Sequence, residues 1–83
     1  MSIRVLLADD HDLFLEGMKE LILKAPGIEL AGQARDGLEA LEQTALMEPD
    51  VVLMDMTMPR LNGIQATRQL RERFPSVRVL ALS

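Results

Sequence analysis

Residues 51–55 read Val-Val-Leu-Met-Asp, and this stretch decides the fold of the chain. Consecutive apolar residues that stop at a carboxylate are typical of a parallel strand covered on both faces, with its carboxyl end at the surface. A second stretch of the same kind, residues 5–8 (Val-Leu-Leu-Ala), ends in Asp9 and Asp10. The two stretches predict parallel strands that each deliver acidic side chains where the strand stops.

Apolar stretches alternate with segments of helical periodicity along the chain. The predicted strands cover Ile3–Ala8, Ile28–Ala34, Val51–Met54 and Val77–Leu82. Each intervening segment places apolar residues three, four or seven positions apart, which predicts an amphipathic helix between successive strands. We expect Pro26, Pro49 and Pro75 to mark the ends of these helices and Asp12 to be the N-cap of the first.

The alternation of strands and helices predicts an α/β fold built from βαβ units around a parallel sheet. In the second strand, Glu29, Ala31 and Gln33 alternate with apolar or small residues, which suits an edge position. Because crossovers between parallel strands are right-handed, the predicted order is 2-1-3-4. The winding direction then reverses between strands 1 and 3, and ligands bind at such a switch point.

The predicted order brings Asp9, Asp10 and Asp55 together at the carboxyl ends of strands 1 and 3. Acids in this position also favour the N-terminus of a following helix, which is the alternative for Asp9 and Asp10. Clustered carboxylates match the oxygen ligands that Mg²⁺ prefers. A carboxylate beside a bound cation can attack phosphorus and form an acyl phosphate, so Asp55 is a candidate nucleophile; the alternative is an ordinary polar residue at a strand end.

Two further polar residues lie near the predicted site. Ser83 ends the fourth strand, where its hydroxyl is a candidate donor to a phosphoryl oxygen or simply a strand terminus. His11 follows the acid pair, and we predict only a loop role for it, because a single histidine is weak evidence for a metal site or a catalytic base.

Composition excludes several other classes of protein. The chain has 83 residues, enough for one domain at most, and its net charge of −4 disfavours direct nucleic-acid binding. It has no cysteine, and no apolar run approaches the roughly 18 residues of a membrane span. The sequence contains neither the G-x-G-x-x-G motif nor the G-x-x-x-x-G-K-S/T motif of nucleotide-binding loops, which disfavours nucleotide binding. A cytoplasmic location is expected.

The motifs as a set resemble the receiver domain of two-component response regulators. They are Val5–His11, Asp36-Gly37, Val51–Pro59 with Gly63, and Leu80–Ser83. The Asp-Asp-His start and the Met-Asp-x-x-Met-Pro run are similar to the subfamily of DNA-binding regulators with a C-terminal helix-turn-helix. The resemblance implies a flavodoxin-like (CheY-like) fold and a sensor histidine kinase as the phosphoryl donor.

The resemblance also implies a role for each site residue. Asp55 matches the phosphoacceptor of the family. Asp10 and Asp55, with the backbone carbonyl of Thr57, match its direct Mg²⁺ ligands, and Asp9 matches a ligand that acts through water. Ser83 matches the hydroxyl residue that contacts the phosphoryl group.

The length of the chain departs from the family pattern. Receivers run to about 120 residues, within the usual range of domain size. Residues 1–83 are therefore expected to form a partial receiver that ends after the fourth strand, an incomplete sheet without a fifth strand. The lysine that the family places on that strand has no counterpart here, and DNA contact is expected only through a separate C-terminal domain.

These residues are compatible with three functions. The first is a phosphoacceptor module of signal transduction that is not a conventional enzyme. The second is a truncated fragment that acts only by self-association, as a dimer through the exposed edge of strand 4 or through exchange of elements. The third, a phosphatase with an aspartate nucleophile, is disfavoured because such enzymes carry a second aspartate where this chain has Thr57.

Overall fold

A parallel sheet with helices on both faces carries the fold. The computed structural model describes residues 2–58 and 60–82. Its strands are β1 (Ile3–Ala8), β2 (Ile28–Ala34), β3 (Val51–Met54) and β4 (Arg78–Ala81). Its helices are α1 (Asp12–Lys24), α2 (Gly37–Met47) and α3 (Gly63–Arg73). The strand order is β2-β1-β3-β4 with all pairs parallel, which confirms the predicted α/β architecture and the predicted order.

Three predicted boundaries differ from the structure. The fourth strand covers Arg78–Ala81 rather than Val77–Leu82. It begins after Val77 because the Val77 amide donates to the Phe74 carbonyl in the turn after α3 (3.0 Å). The N-cap of α1 is His11 rather than Asp12, since the His11 carbonyl accepts the first helical hydrogen bond. Asp12 is the first residue of the helix, and its carboxylate pairs with a guanidinium instead of capping.

The face of the sheet under α2 and α3 holds the larger part of the core. Its buried residues include Leu6 and Ala8 of β1, Val52 and Met54 of β3, and Leu70 of α3. All five are fully buried. Since side chains of a strand alternate between faces, alternate residues of β1 and β3 point into this layer.

The opposite face is covered by α1 alone among the described residues. Val5, Leu7, Leu15 and Ile22 form its buried cluster. Val51 and Leu53 pack against this cluster but remain half-buried, so β3 is less completely covered than its apolar sequence predicted. An apolar groove runs beside α1, and its lining includes Ile3, Leu21 and Leu80. No helix in the described part of the chain is long and apolar enough to cross a membrane.

Two glycines let the loop after β3 approach the starts of α2 and α3. A Cβ on Gly37 would lie 1.9 Å from the Leu61 carbonyl oxygen. A Cβ on Gly63 would lie 2.4 Å from the Asp55 carbonyl oxygen. The loop then enters α3 through a capping box, in which the Asn62 side chain accepts from the Gln65 amide (2.9 Å). Backbone packing therefore fixes the two ends of this loop, at Asp55 and at Leu61.

We expect Gly37→Ala to destabilise the fold by about 2 kcal/mol, because the added methyl group overlaps the Leu61 carbonyl. The matched control is Gly17→Ala in α1, where a Cβ meets nothing within 4 Å. That substitution should stabilise the fold by about 0.5–1 kcal/mol, since alanine has the higher helix propensity. Urea unfolding followed by circular dichroism measures both, and equal responses would contradict the close approach.

Candidate functional site

The carboxyl ends of β1 and β3 bring three aspartates together. Ala8 lies opposite Met54 in the parallel pair, and the Asp55 amide donates to the Ala8 carbonyl (2.8 Å). Asp9 and Asp10 follow one strand and Asp55 follows the other, so the register places them side by side. One ligand atom each from Asp9, Asp10, His11 and Asp55 lie within 4.8 Å of one another. We call these four residues the acid cluster.

The carboxylates of the acid cluster differ in exposure. Asp55 is 1% exposed and Asp9 is 5% exposed, whereas Asp10 lies at the surface. One oxygen of Asp55 accepts from the Thr57 amide (3.0 Å) and from the Thr57 hydroxyl (2.9 Å). Because burial weakens screening by water, the mutual repulsion of these acids is strong unless a positive charge lies among them.

The ring of His11 lies among the three carboxylates. Its Nδ1 is 2.6 Å from Asp9 Oδ1, 3.3 Å from Asp10 Oδ1 and 3.5 Å from Asp55 Oδ2. The hydrogen bond to Asp9 is the main cause that raises the pKa of His11 above its ordinary value, and the charges of Asp9, Asp10 and Asp55 add to it. The carboxylates therefore favour the protonated form of the ring, which is the form that adds positive charge to the cluster.

The predicted loop role of His11 does not include this contact with the carboxylates. His11 does lie in the loop before α1, and its backbone amide also donates to Asp9 Oδ1 (2.7 Å), which keeps the exposed ring beside the acid cluster. The available signal was position: a residue two places after a buried strand-end carboxylate can bond to it through the main chain.

Of the other predicted site residues, Thr57 lies beside Asp55. Thr57 lies in the turn after β3, exposed, with its side chain bonded to Asp55. Ser83, the predicted switch hydroxyl, lies outside the described residues. The two lysines of the chain, Lys19 and Lys24, are both on α1, and Lys19 pairs with Glu16 (3.5 Å).

The acid cluster is open to a ligand and suited to a hard cation. A depression lined by Asp9, His11, Phe14, Asp55 and Leu82 leads to it. Its carboxylate oxygens are donors that Mg²⁺ prefers, and no cysteine is present to favour a softer metal. The converging carboxylates at the sheet edge therefore fit a divalent cation.

Comparison with known proteins identifies the family of the chain and supports its fold. The response regulator receiver domain matches residues 5–83 of the chain. Transcriptional regulatory protein DegU of Brevibacillus brevis is 44% identical over 82 residues, which are 99% of this chain and 35% of the relative. Response regulator GacA of Pseudomonas viridiflava is 42% identical over 81 residues, 98% of this chain and 38% of the relative.

A solved structure of a receiver domain has the same fold as this chain. The response regulator domain of Thermotoga maritima CheB superposes with a TM-score of 0.93 at 40% identity, covering 98% of this chain and 60% of that domain. The chain spans little more than a third of the length of the two curated relatives. The predicted family and the flavodoxin-like topology are both confirmed. The chain belongs to the response regulator receiver domain family.

Proposed function

We propose that the chain is a phosphoacceptor module in which Asp55 takes a phosphoryl group from a phosphohistidine of a sensor histidine kinase. One observation carries the proposal: the Asp55 carboxylate lies at the carboxyl edge of the sheet, within 4.8 Å of ligand atoms of Asp9 and Asp10. An Asp55 oxygen attacks phosphorus, the phosphorus–nitrogen bond of the donor breaks, and its electron pair returns to the imidazole. The product is an acyl phosphate.

The same carboxylates are proposed to hold Mg²⁺. Asp10 and Asp55 would bind it directly with the Thr57 carbonyl, and Asp9 would act through water. Bound Mg²⁺ supplies charge neutralisation for the phosphoryl oxygens. The Thr57 hydroxyl and amide hold one oxygen of Asp55, which orients the carboxylate for attack. Ser83 is the proposed hydroxyl that contacts the phosphoryl group.

The role of the whole protein follows from its relatives as a proposal. DegU is named a transcriptional regulatory protein, and this chain covers 35% of it. We propose that residues 1–83 are the receiver portion of a cytoplasmic transcriptional regulator whose DNA contact belongs to another domain. The net charge of −4 supports a chain that does not itself bind DNA.

Self-association is a second candidate activity, supported by the exposed edge of the sheet. β4 is the edge strand, and three of its four residues are exposed. Leu80 is 54% exposed and borders the apolar groove beside α1. An unpaired apolar edge of this kind pairs with another strand. A two-fold pair through β4, or exchange of elements, closes the assembly.

Acetyl phosphate with Mg²⁺ should phosphorylate the chain, and Asp55→Asn should abolish the product, because it removes the attacking oxygen. Phos-tag electrophoresis separates the phosphorylated band. Glu42→Gln, an exposed carboxylate on α2, is the matched control and should leave the band intact. A band that persists in Asp55→Asn would contradict the assignment.

Millimolar Mg²⁺ should raise the Tm, because the cation binds the folded acid cluster. At ten times the dissociation constant the stabilisation is about 1.4 kcal/mol. For a domain of this size that is a Tm rise of roughly 5–10 °C. Asp10→Asn should remove most of the rise, and differential scanning calorimetry measures it. A wild-type Tm that does not respond to Mg²⁺ would contradict the metal site.

Leu80→Lys should shift the chain toward monomer, because a charge on the edge strand opposes pairing. The matched control is Leu23→Lys on α1, where the leucine is 80% exposed and outside the groove. Size-exclusion chromatography with light scattering at micromolar concentration measures the mass. A wild-type chain that is monomeric at every concentration tested would end this candidate.

A further inference from the structure

An ion pair outside the acid cluster ties the loop after β3 to the start of α2. Arg60 Nε donates to Asp36 Oδ2 (2.8 Å), and Arg60 Nη2 donates to the same oxygen. The two residues are 24 positions apart in the chain. Arg60 belongs to the loop that runs from Asp55 to the N-cap of α3 at Asn62. The ion pair is therefore a tertiary contact between the loop after β3 and the start of α2.

The second carboxylate oxygen of Asp36 holds this side chain at the start of α2. Asp36 is the N-cap of α2, and its Oδ1 accepts from the Glu39 amide (2.9 Å). Burial by itself raises the pKa of Asp36, but the hydrogen bonds from Glu39 and Arg60 hold the pKa below its ordinary value. The carboxylate thus stays charged in its buried setting, with one oxygen on the helix and the other on the loop.

Arg60 has an uncommon backbone conformation. Its φ of +62° lies in the left-handed region, which residues with a side chain seldom adopt. The next residue, Leu61, brings its carbonyl against Gly37, at the first turn of the helix that Asp36 caps. Loop and helix start thus meet twice, once through backbone contact and once through the ion pair.

We infer that Arg60 and Asp36 act together as positioning residues for the metal site, holding the loop that carries Thr57. The inference rests on the proposed function, because it concerns the carbonyl of Thr57 and the carboxylate of Asp55. Arg60 touches neither the metal ligands nor the phosphoryl group. It acts by fixing the far end of a loop whose near end is held at Asp55 through Thr57 and Gly63.

For Arg60→Gln, long-range electrostatics and loss of the loop anchor predict opposite changes in the affinity for a cation. Arg60→Gln removes a positive charge from a chain that binds a cation, so long-range attraction alone would tighten cation binding. Loss of the loop anchor would weaken it, because supporting contacts around a metal site orient its ligands. Asp36→Asn is the partner variant, since asparagine still caps α2 but gives up the charge that holds Arg60.

The experiment is a titration of the full chain with Mn²⁺, read from the electron paramagnetic resonance signal of the free ion. It compares the wild type, Arg60→Gln, Asp36→Asn and the double variant. Arg68→Gln is the matched control, because Arg68 is exposed on α3 and makes no ion pair among residues 2–58 and 60–82. The Tm without metal is measured for each variant, so that a loss of stability is separated from a loss of affinity.

We expect each single variant to raise the Mn²⁺ dissociation constant by about tenfold. The double variant should be no weaker than either single one, because both remove the same contact. Dissociation constants within about twofold of wild type, or tighter binding by Arg60→Gln, would overturn the inference while leaving the metal site intact. A wild-type chain that does not bind Mn²⁺ would instead remove the proposed metal site, and the inference with it.

Discussion

The parallel pairing of β1 with β3 is the constraint on which the site depends. Ala8 lies opposite Met54, so the next residue of each strand arrives at the same edge of the sheet. Asp9 and Asp55 are both buried there, at 5% and 1% exposure. Like charges held this close are unfavourable without a compensating positive charge. Packing of the apolar strands therefore stabilises an arrangement that the carboxylates alone would not adopt. The His11 ring lies beside Asp9, where its protonated form offsets part of the repulsion.

The loop after β3 holds Asp55 and Thr57 in defined positions at the edge of the sheet. Its first turn is bonded to Asp55 through Thr57 and starts against Gly63, and Leu61 near its end packs against Gly37. A side chain on either glycine would collide with the loop backbone. A short loop fixed at both ends has few conformations, so the groups that it carries are positioned before any ligand binds. The absent Cβ atoms thus matter to the site as much as the charged groups do.

The two faces of the sheet are unequally covered, and this sets the surface chemistry of the chain. Under α2 and α3 the core residues of β1 and β3 are fully buried and Val79 of β4 is half-buried, whereas the face under α1 leaves Val51 and Leu53 of the central strand β3 half-buried. Leu80 and the edge of β4 continue this partly covered surface. The site and the apolar surface are separate features of one sheet, because they occupy its carboxyl end and one of its faces.

The sequence by itself determined the bounds of the first three strands, the strand order and the convergence of Asp9, Asp10 and Asp55. These follow from local periodicity and from the handedness of crossovers, which act on any chain of this pattern. Only the tertiary structure decided the approach of the His11 ring to Asp55, the pairing of Arg60 with Asp36 and the partial cover of β3. These contacts join residues far apart in the sequence, and their distances are set by how helices and loops pack on the finished sheet.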